Sequence, residues 1–244
     1  MADLRNVVVV IGAAGGIGRV LSAELSNGRH VVAVDVDPAV TDMTGEHITG
    51  VHADAADEAA LRAAFETASA IGPIDAMVHA VLVQSRRPLA DLEPADLRRV
   101  LDVGAASAAS ALQLLHAHGS RPASGVLIGS VHGSHAAPRM AAYAMAKSAM
   151  RALARAAAIE WGAEGLRCNI VEPGYIAVPG HVSPAHDEES MARLPLAYPS
   201  ARLGTPEDVT ALTVFLLSQR AGFINGAIIP IDGGMSAVMA ENLL

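Results

Sequence analysis

Val7-Val8-Val9-Val10-Ile11-Gly12-Ala13-Ala14-Gly15-Gly16-Ile17-Gly18 is the stretch that decides the reading of this chain. Five consecutive β-branched residues, with no polar alternation, predict a strand covered on both faces, as in a parallel sheet. Glycines at 12, 16 and 18 then let the backbone turn tightly, approach a ligand closely and pack a following helix against the sheet. The unpaired N–H groups at the start of that helix attract an anion, so the turn suits the pyrophosphate of a dinucleotide. A second apolar run ends in Val31-Val32-Ala33-Val34-Asp35. A carboxylate at that point can accept hydrogen bonds from both hydroxyls of an adenosine ribose and repels a 2′-phosphate, which favours NAD over NADP. Asp37, two residues on, is the substitute candidate.

The same rhythm runs down the chain. Ile74 to Val78, Val126 to Ile128 and Leu166 to Val171 read as further buried strands. Between them, Glu58 to Ala70, Ala95 to His116 and Met140 to Trp161 are long enough to be helices. Alternating strand and helix imply right-handed crossovers and a Rossmann-like doubly wound α/β fold, a parallel sheet of about seven strands with helices on both faces. The 244 residues, 52% of them hydrophobic, suit one domain over 1–244. Residues 179–200, rich in proline with the acidic run Asp187-Glu188-Glu189, break the pattern and are expected to form a substrate lid. Net charge is 17 − 25 = −8 with no basic stripe, which argues against nucleic acid and anionic membranes as partners. The single Cys168, the lack of a signal-peptide pattern and the lack of an apolar run of membrane-spanning length predict a cytoplasmic location. No spacing of His, Cys or Glu resembles a metal site.

Lys147 is the only lysine, while 16 arginines carry every other basic role, and it follows Tyr143 by four residues. A solvated position accepts either cation, but only lysine offers a compact ammonium that can sit beneath a phenol and hydrogen-bond a sugar hydroxyl. On a helix, i and i+4 share a face. The pair therefore reads as functional.

Gly12, Gly16 and Gly18 resemble the TGxxxGxG turn of the classical short-chain dehydrogenases/reductases, and Tyr143 with Lys147 resembles their YxxxK. Ser130, 13 residues before Tyr143 at the end of a strand, stands where that family keeps its catalytic serine, and Pro173-Gly174 looks like its PG turn. Arg202 to Asp208, Asn225-Gly226 and Asp232-Gly233-Gly234 resemble its C-terminal region. The resemblance covers the whole chain. It implies an NAD-dependent oxidoreductase acting on a small alcohol or ketone, with Ser130 positioning the substrate oxygen, Tyr143 as general acid/base and Lys147 as its tuner. It further implies that Gly12, Gly16, Ile17, Gly18, Asp35, Asp54, Lys147, Pro173 and Gly174 bind NAD, and that the protein is a homotetramer. A free tyrosine, with a pKa near 10, is too basic for this work, so the ammonium and an oxidised nicotinamide are expected to favour phenolate.

Four features depart from the family pattern: Ile11 replaces its Thr, the segment His79-Ala80-Val81-Leu82 its NNAG, Gly104 its fourth catalytic residue, an Asn, and Val178 a Thr. Gly104 predicts a helix locally broken at Val103 to Ala105, its carbonyl facing Lys147 through a water. Gln84, Met140, Tyr175, His132 and His135 are candidate pocket residues. The departures leave a second function class open, a dinucleotide-binding relative acting as sensor or structural partner with little turnover. Reduction of a carbon–carbon double bond is disfavoured by the close Tyr–Lys spacing.

Overall fold

The computed structural model describes residues 6–178 and 188–239. Seven parallel strands form one sheet in the order β3-β2-β1-β4-β5-β6-β7. They are β1 (Val7–Ile11), β2 (His30–Asp35), β3 (Ile48–His52), β4 (Ile74–His79), β5 (Gly119–Ile128), β6 (Leu166–Pro173) and β7 (Ile228–Ile231). The helices are α1 (Gly16–Leu25), α2 (Glu58–Ile71), α3 (Pro94–Leu101), α4 (Ser107–His118), α5 (Ala141–Trp161), α6 (Glu188–Arg193) and α7 (Pro206–Leu217).

Every residue of β1 is buried, and the alternation of its side chains divides the core. Val7, Val9 and Ile11 join Leu61, Phe65, Leu112 and Met150, from α2, α4 and α5, on one face. Val8 and Val10 join Leu21, Val209 and Leu216, from α1 and α7, on the other. Each such side chain contributes on the order of 2 kcal/mol when fully withdrawn from water. That two-sided burial is the physical reason the run carries no polar alternation.

Two strands escaped the sequence reading. The β3 strand, Ile-Thr-Gly-Val-His, lies at one edge and is only half-buried, so its apolar signal is diluted. The β7 strand at the other edge contains Pro230, a residue sheets tolerate only where no ladder N–H is needed. One sequence inference needs correction. Pro94–His118 is long and apolar enough, by length and composition, to cross a membrane. Its buried residues Ala108, Ala111, Leu112 and Leu115 pack into the core beneath the sheet, which accounts for the apolarity. The lid expectation at 179–200 falls partly outside the described residues. Within them the segment forms α6 and a short 3-10 turn, Leu194–Ala197.

The chain winds outward from β1 to β3, returns, and winds the opposite way from β4 to β7. The order reverses between β1 and β4. Ligands of such sheets bind in the crevice beyond the carboxyl ends of the strands at that reversal.

Candidate active site

At the mouth of the β1/β4 crevice, Gly12 adopts φ +87. A Cβ there would lie 2.7 Å from the Ala80 carbonyl, so the turn after β1 runs against the end of β4 with no room for a side chain. A Cβ on Gly18 would strike the Gly12 carbonyl oxygen, which fixes how closely α1 approaches the strand. Helix α1 starts at Gly16 with no side-chain cap and no acidic residue in its first turn. The N–H groups of the first helical turn thus have no side-chain cap and no carboxylate of that turn beside them, which suits the approach of an anion.

Asp35, at the end of β2, accepts hydrogen bonds from the Ala14 N–H (2.8 Å) and the Asp37 N–H (2.9 Å). The first ties the Gly-rich turn to β2. Asp37 caps the following 3-10 turn through the Ala39 N–H, which engages one of its two carboxylate oxygens. Asp54 accepts from the Ala56 N–H at 2.9 Å, is exposed, and lies two residues beyond the end of β3. Pro173 ends β6, and Gly174 donates its N–H to the Ile231 carbonyl. The segment after that turn comes back to the Gly-rich turn, where Val178 packs directly on Gly16.

Ser130, Tyr143 and Lys147 meet at the carboxyl end of the sheet. Tyr143 and Lys147 lie on the buried face of α5 with Ala142, Ala146 and Met150. Ser130 follows β5 in extended conformation, accepts the His132 N–H at 3.2 Å, and stands close enough to Tyr143 to pull its pKa down. The Lys147 ammonium lies 5.6 Å from the centre of the Tyr143 ring. It donates to the carbonyls of Ile128 (2.8 Å) and Val81 (3.4 Å).

Burial dominates the electrostatics. It pushes the Tyr143 phenol above its ordinary pKa; hydrogen bonds from Ser130 and Gln84 and the nearby Arg86 charge pull the other way. Burial alone brings Lys147 down to about 8. Sequence reasoning gave the tuning role to Lys147; in the structure the groups that pull the Tyr143 pKa down are Ser130, Gln84 and Arg86, Lys147 is not among them, and burial outweighs all three. Gln84 stands 59 positions before Tyr143, and no local pattern joins them. The His132 ring meets the Tyr143 ring edge-on at 5.8 Å.

Because the folded pKa of Lys147 lies below its unfolded value of 10.5, the buried ammonium costs stability wherever it is charged. That cost is full below pH 8 and fades as pH rises from 8 towards 10.5. Lys147→Met removes the titration. Between pH 7 and 10 the wild type should therefore gain stability relative to this variant, by about 1.4 kcal/mol for each pKa unit of depression. Urea midpoints that keep a constant separation across that range would show the ammonium to be solvated.

The helix carrying Gly104 is not straight: a π-helical segment, Asp102–Ala106, interrupts it between α3 and α4. Just beyond its end, Ser107 donates its hydroxyl back to the Val103 carbonyl at 2.6 Å. With that proton committed, the 2.7 Å contact to His79 requires the imidazole Nε2–H to donate to Ser107. His79 is fully buried, and burial first, then the Lys147 charge, holds its pKa down at about 3. It stays neutral, an uncharged donor at the first position of the segment His79-Ala80-Val81-Leu82. Gly104 is buried, and a Cβ there would sit 3.1 Å from the Ala146 methyl, one residue before Lys147. Gly104→Asn is therefore expected to displace α5 by a few tenths of an ångström and to change turnover within about tenfold. A larger fall in kcat with an unchanged melting temperature would show that Lys147 tolerates less displacement than this packing implies.

A family profile described as Enoyl-(Acyl carrier protein) reductase matches residues 12–236. A cis-4-hydroxycyclohexanecarboxylate dehydrogenase of Sinomonas cyclohexanicum is 33% identical, covering 97% of this chain and 99% of that protein. An inactive 2-(S)-hydroxypropyl-CoM dehydrogenase 2 of Xanthobacter autotrophicus is 34% identical over 88% of this chain and 99% of its own length. Among solved structures, the ligand-free aldohexose dehydrogenase of Thermoplasma acidophilum superposes with a TM-score of 0.87 at 27% identity. It covers 98% of this chain and 97% of that one.

Proposed function

The chain belongs to the classical short-chain dehydrogenase/reductase family, whose members are oxidoreductases, and from that premise we propose that it is an NAD-dependent dehydrogenase of secondary alcohols. The observation that carries this reading is the joining of Ser130, Tyr143 and Lys147 beside the crevice opened by Gly12 and Gly18. NAD, when bound, supplies the acceptor for the hydride leaving the alcohol carbon; the alcohol becomes a ketone and the hydroxyl proton passes to the protein.

In this reading Ser130 hydrogen-bonds the substrate oxygen and holds it in reach of Tyr143. The Tyr143 phenolate takes the hydroxyl proton, and in the reverse direction the phenol returns it. Lys147 supplies a fixed positive charge beneath the ring and hydrogen-bonds the nicotinamide ribose. Gly12, Gly16, Ile17 and Gly18 hold the pyrophosphate, Asp35 the adenosine ribose, Asp54 the adenine, and Pro173 and Gly174 the nicotinamide side. The i, i+4 spacing of Tyr143 and Lys147 favours carbonyl chemistry over reduction of a carbon–carbon double bond. The single domain works in the cytoplasm as a homotetramer, a reading supported by the exposed Met145 and Ile159 on α5. Light scattering that finds a monomer at micromolar concentration overturns the assembly.

Purified protein is to be tested for NADH formation against secondary alcohols, sugars and hydroxyacyl thioesters. Oxidation of at least one class is expected. Leu82, 64% exposed where the family has glycine, and the 34% identical relative named inactive favour a second reading, dinucleotide binding without turnover. NAD binding with no NADH from any class would establish it.

A further inference from the structure

Gln84 and Arg86 line a cavity of about 570 Å³, and both also lower the pKa of the Tyr143 phenol, which links the cavity to the reacting group. In a chain of net charge −8, this cavity gathers Arg86, Arg87, Arg99 and Arg139 against Asp91 and Asp96, an excess of 4 − 2 = +2. Arg87 is neutralised by Asp96 at 2.6 Å. Arg86 spends its Nε on the Gln84 side-chain carbonyl (3.1 Å), which leaves its two terminal nitrogens to the cavity. Arg139 donates to the Arg86 main-chain carbonyl at 3.3 Å, so the two guanidinium groups are tied to one wall.

The backbone at Arg139 adds an independent observation. Its φ is +64, a left-handed conformation that costs a non-glycine residue on the order of 1 kcal/mol. It directly precedes Met140, the N-cap of the helix that carries Tyr143 and Lys147. Strain of this kind persists where surrounding structure holds a side chain in a required direction. Here it sets a guanidinium at the rim of the cavity. Val83 and Val100 supply apolar lining beside the charged groups. Arg86 also acts on Tyr143 itself, so charge in the cavity and charge at the reacting oxygen are coupled.

We propose that this cavity is a carboxylate-recognition subsite and that the substrate is a hydroxy acid, its carboxylate held by Arg86, Arg99 and Arg139 while Gln84 and Ser130 present its alcohol to Tyr143. This rests on the dehydrogenase reading and narrows it. The carboxylate takes no part in the reaction: the alcohol carbon loses a hydride to NAD and the hydroxyl loses its proton to Tyr143, giving an oxo acid, NADH and a proton. The planar forks of arginine match a carboxylate in a way that a neutral amide cannot copy.

The test uses the wild-type protein with NAD present, a set of hydroxyalkanoates of increasing chain length and the matching hydroxyalkanamides. Binding is measured by calorimetry and turnover separately by NADH formation. At the best chain length the acid should bind at least about tenfold tighter than its amide, a preference that shrinks as ionic strength rises. In the double variant Arg99→Gln/Arg139→Gln the acid-to-amide ratio should fall towards one at an unchanged melting temperature. A wild-type ratio of one or less at every chain length overturns the subsite, whatever the turnover. Selective binding of acids with no oxidation of any alcohol would leave the subsite standing and remove the dehydrogenase reading. Equal oxidation of acids and amides would do the reverse.

Discussion

Tyr143→Phe is expected to lower kcat by about 10²–10⁴-fold, the range that a positioned acid/base contributes, while the fold survives. The hydroxyl oxygen is the only heavy atom removed, and it is the group whose pKa Ser130 and Gln84 act on, in a site where the ring itself is buried. Lys147→Arg should cost as much, although it preserves the charge. The buried ammonium donates to the carbonyls of Ile128 and Val81, at 2.8 and 3.4 Å, with the Tyr143 ring centre 5.6 Å away. A planar guanidinium is larger, donates in a fixed fork and cannot take that position without moving β5 or α5. Steady-state rates and circular dichroism on both variants check the expectation. If Lys147→Arg turns over like wild type, charge alone suffices and the reading of the lone lysine is wrong.

The second large effect concerns the cofactor. NAD should bind at least about tenfold tighter than NADP, because a phosphate set against a carboxylate costs more than about 1.4 kcal/mol. Asp35→Ala should erase most of that preference. The structure sharpens the test, since Asp35 also holds the Gly-rich turn through the Ala14 N–H. A purely structural Asp35 would make the alanine variant lose affinity for NAD and NADP alike, with their ratio unchanged. A ribose-binding Asp35 makes the variant lose affinity for NAD and gain it for NADP. Dissociation constants for both cofactors separate the two cases.

Much of the fold was legible because the signals were local. The run Val7 to Ile11 announces a strand covered on both faces, and the structure buries all five residues. The Glu58 start of α2 and the Trp161 end of α5 fell where the sequence put them. The edge strands β3 and β7 were not legible, since an edge needs no continuous apolar run. The interruption at Gly104 was anticipated from a single residue, and takes the form of a π segment closed by Ser107.

What the sequence determined by itself was the set of residues whose meaning is carried within a few positions: the glycines after β1, the Tyr143–Lys147 spacing on one helical face, and Asp35 at a strand end. Periodicity and backbone sterics act over that range, so a one-dimensional reading reaches them. Only the tertiary structure decided what surrounds them. It brought Gln84 and Arg86 to Tyr143, set the neutral His79 near Lys147, and gathered Arg99 and Arg139 into one cavity. These groups come from segments far apart in the chain. Burial and Coulomb interactions depend on distance in space, which the order of residues does not encode.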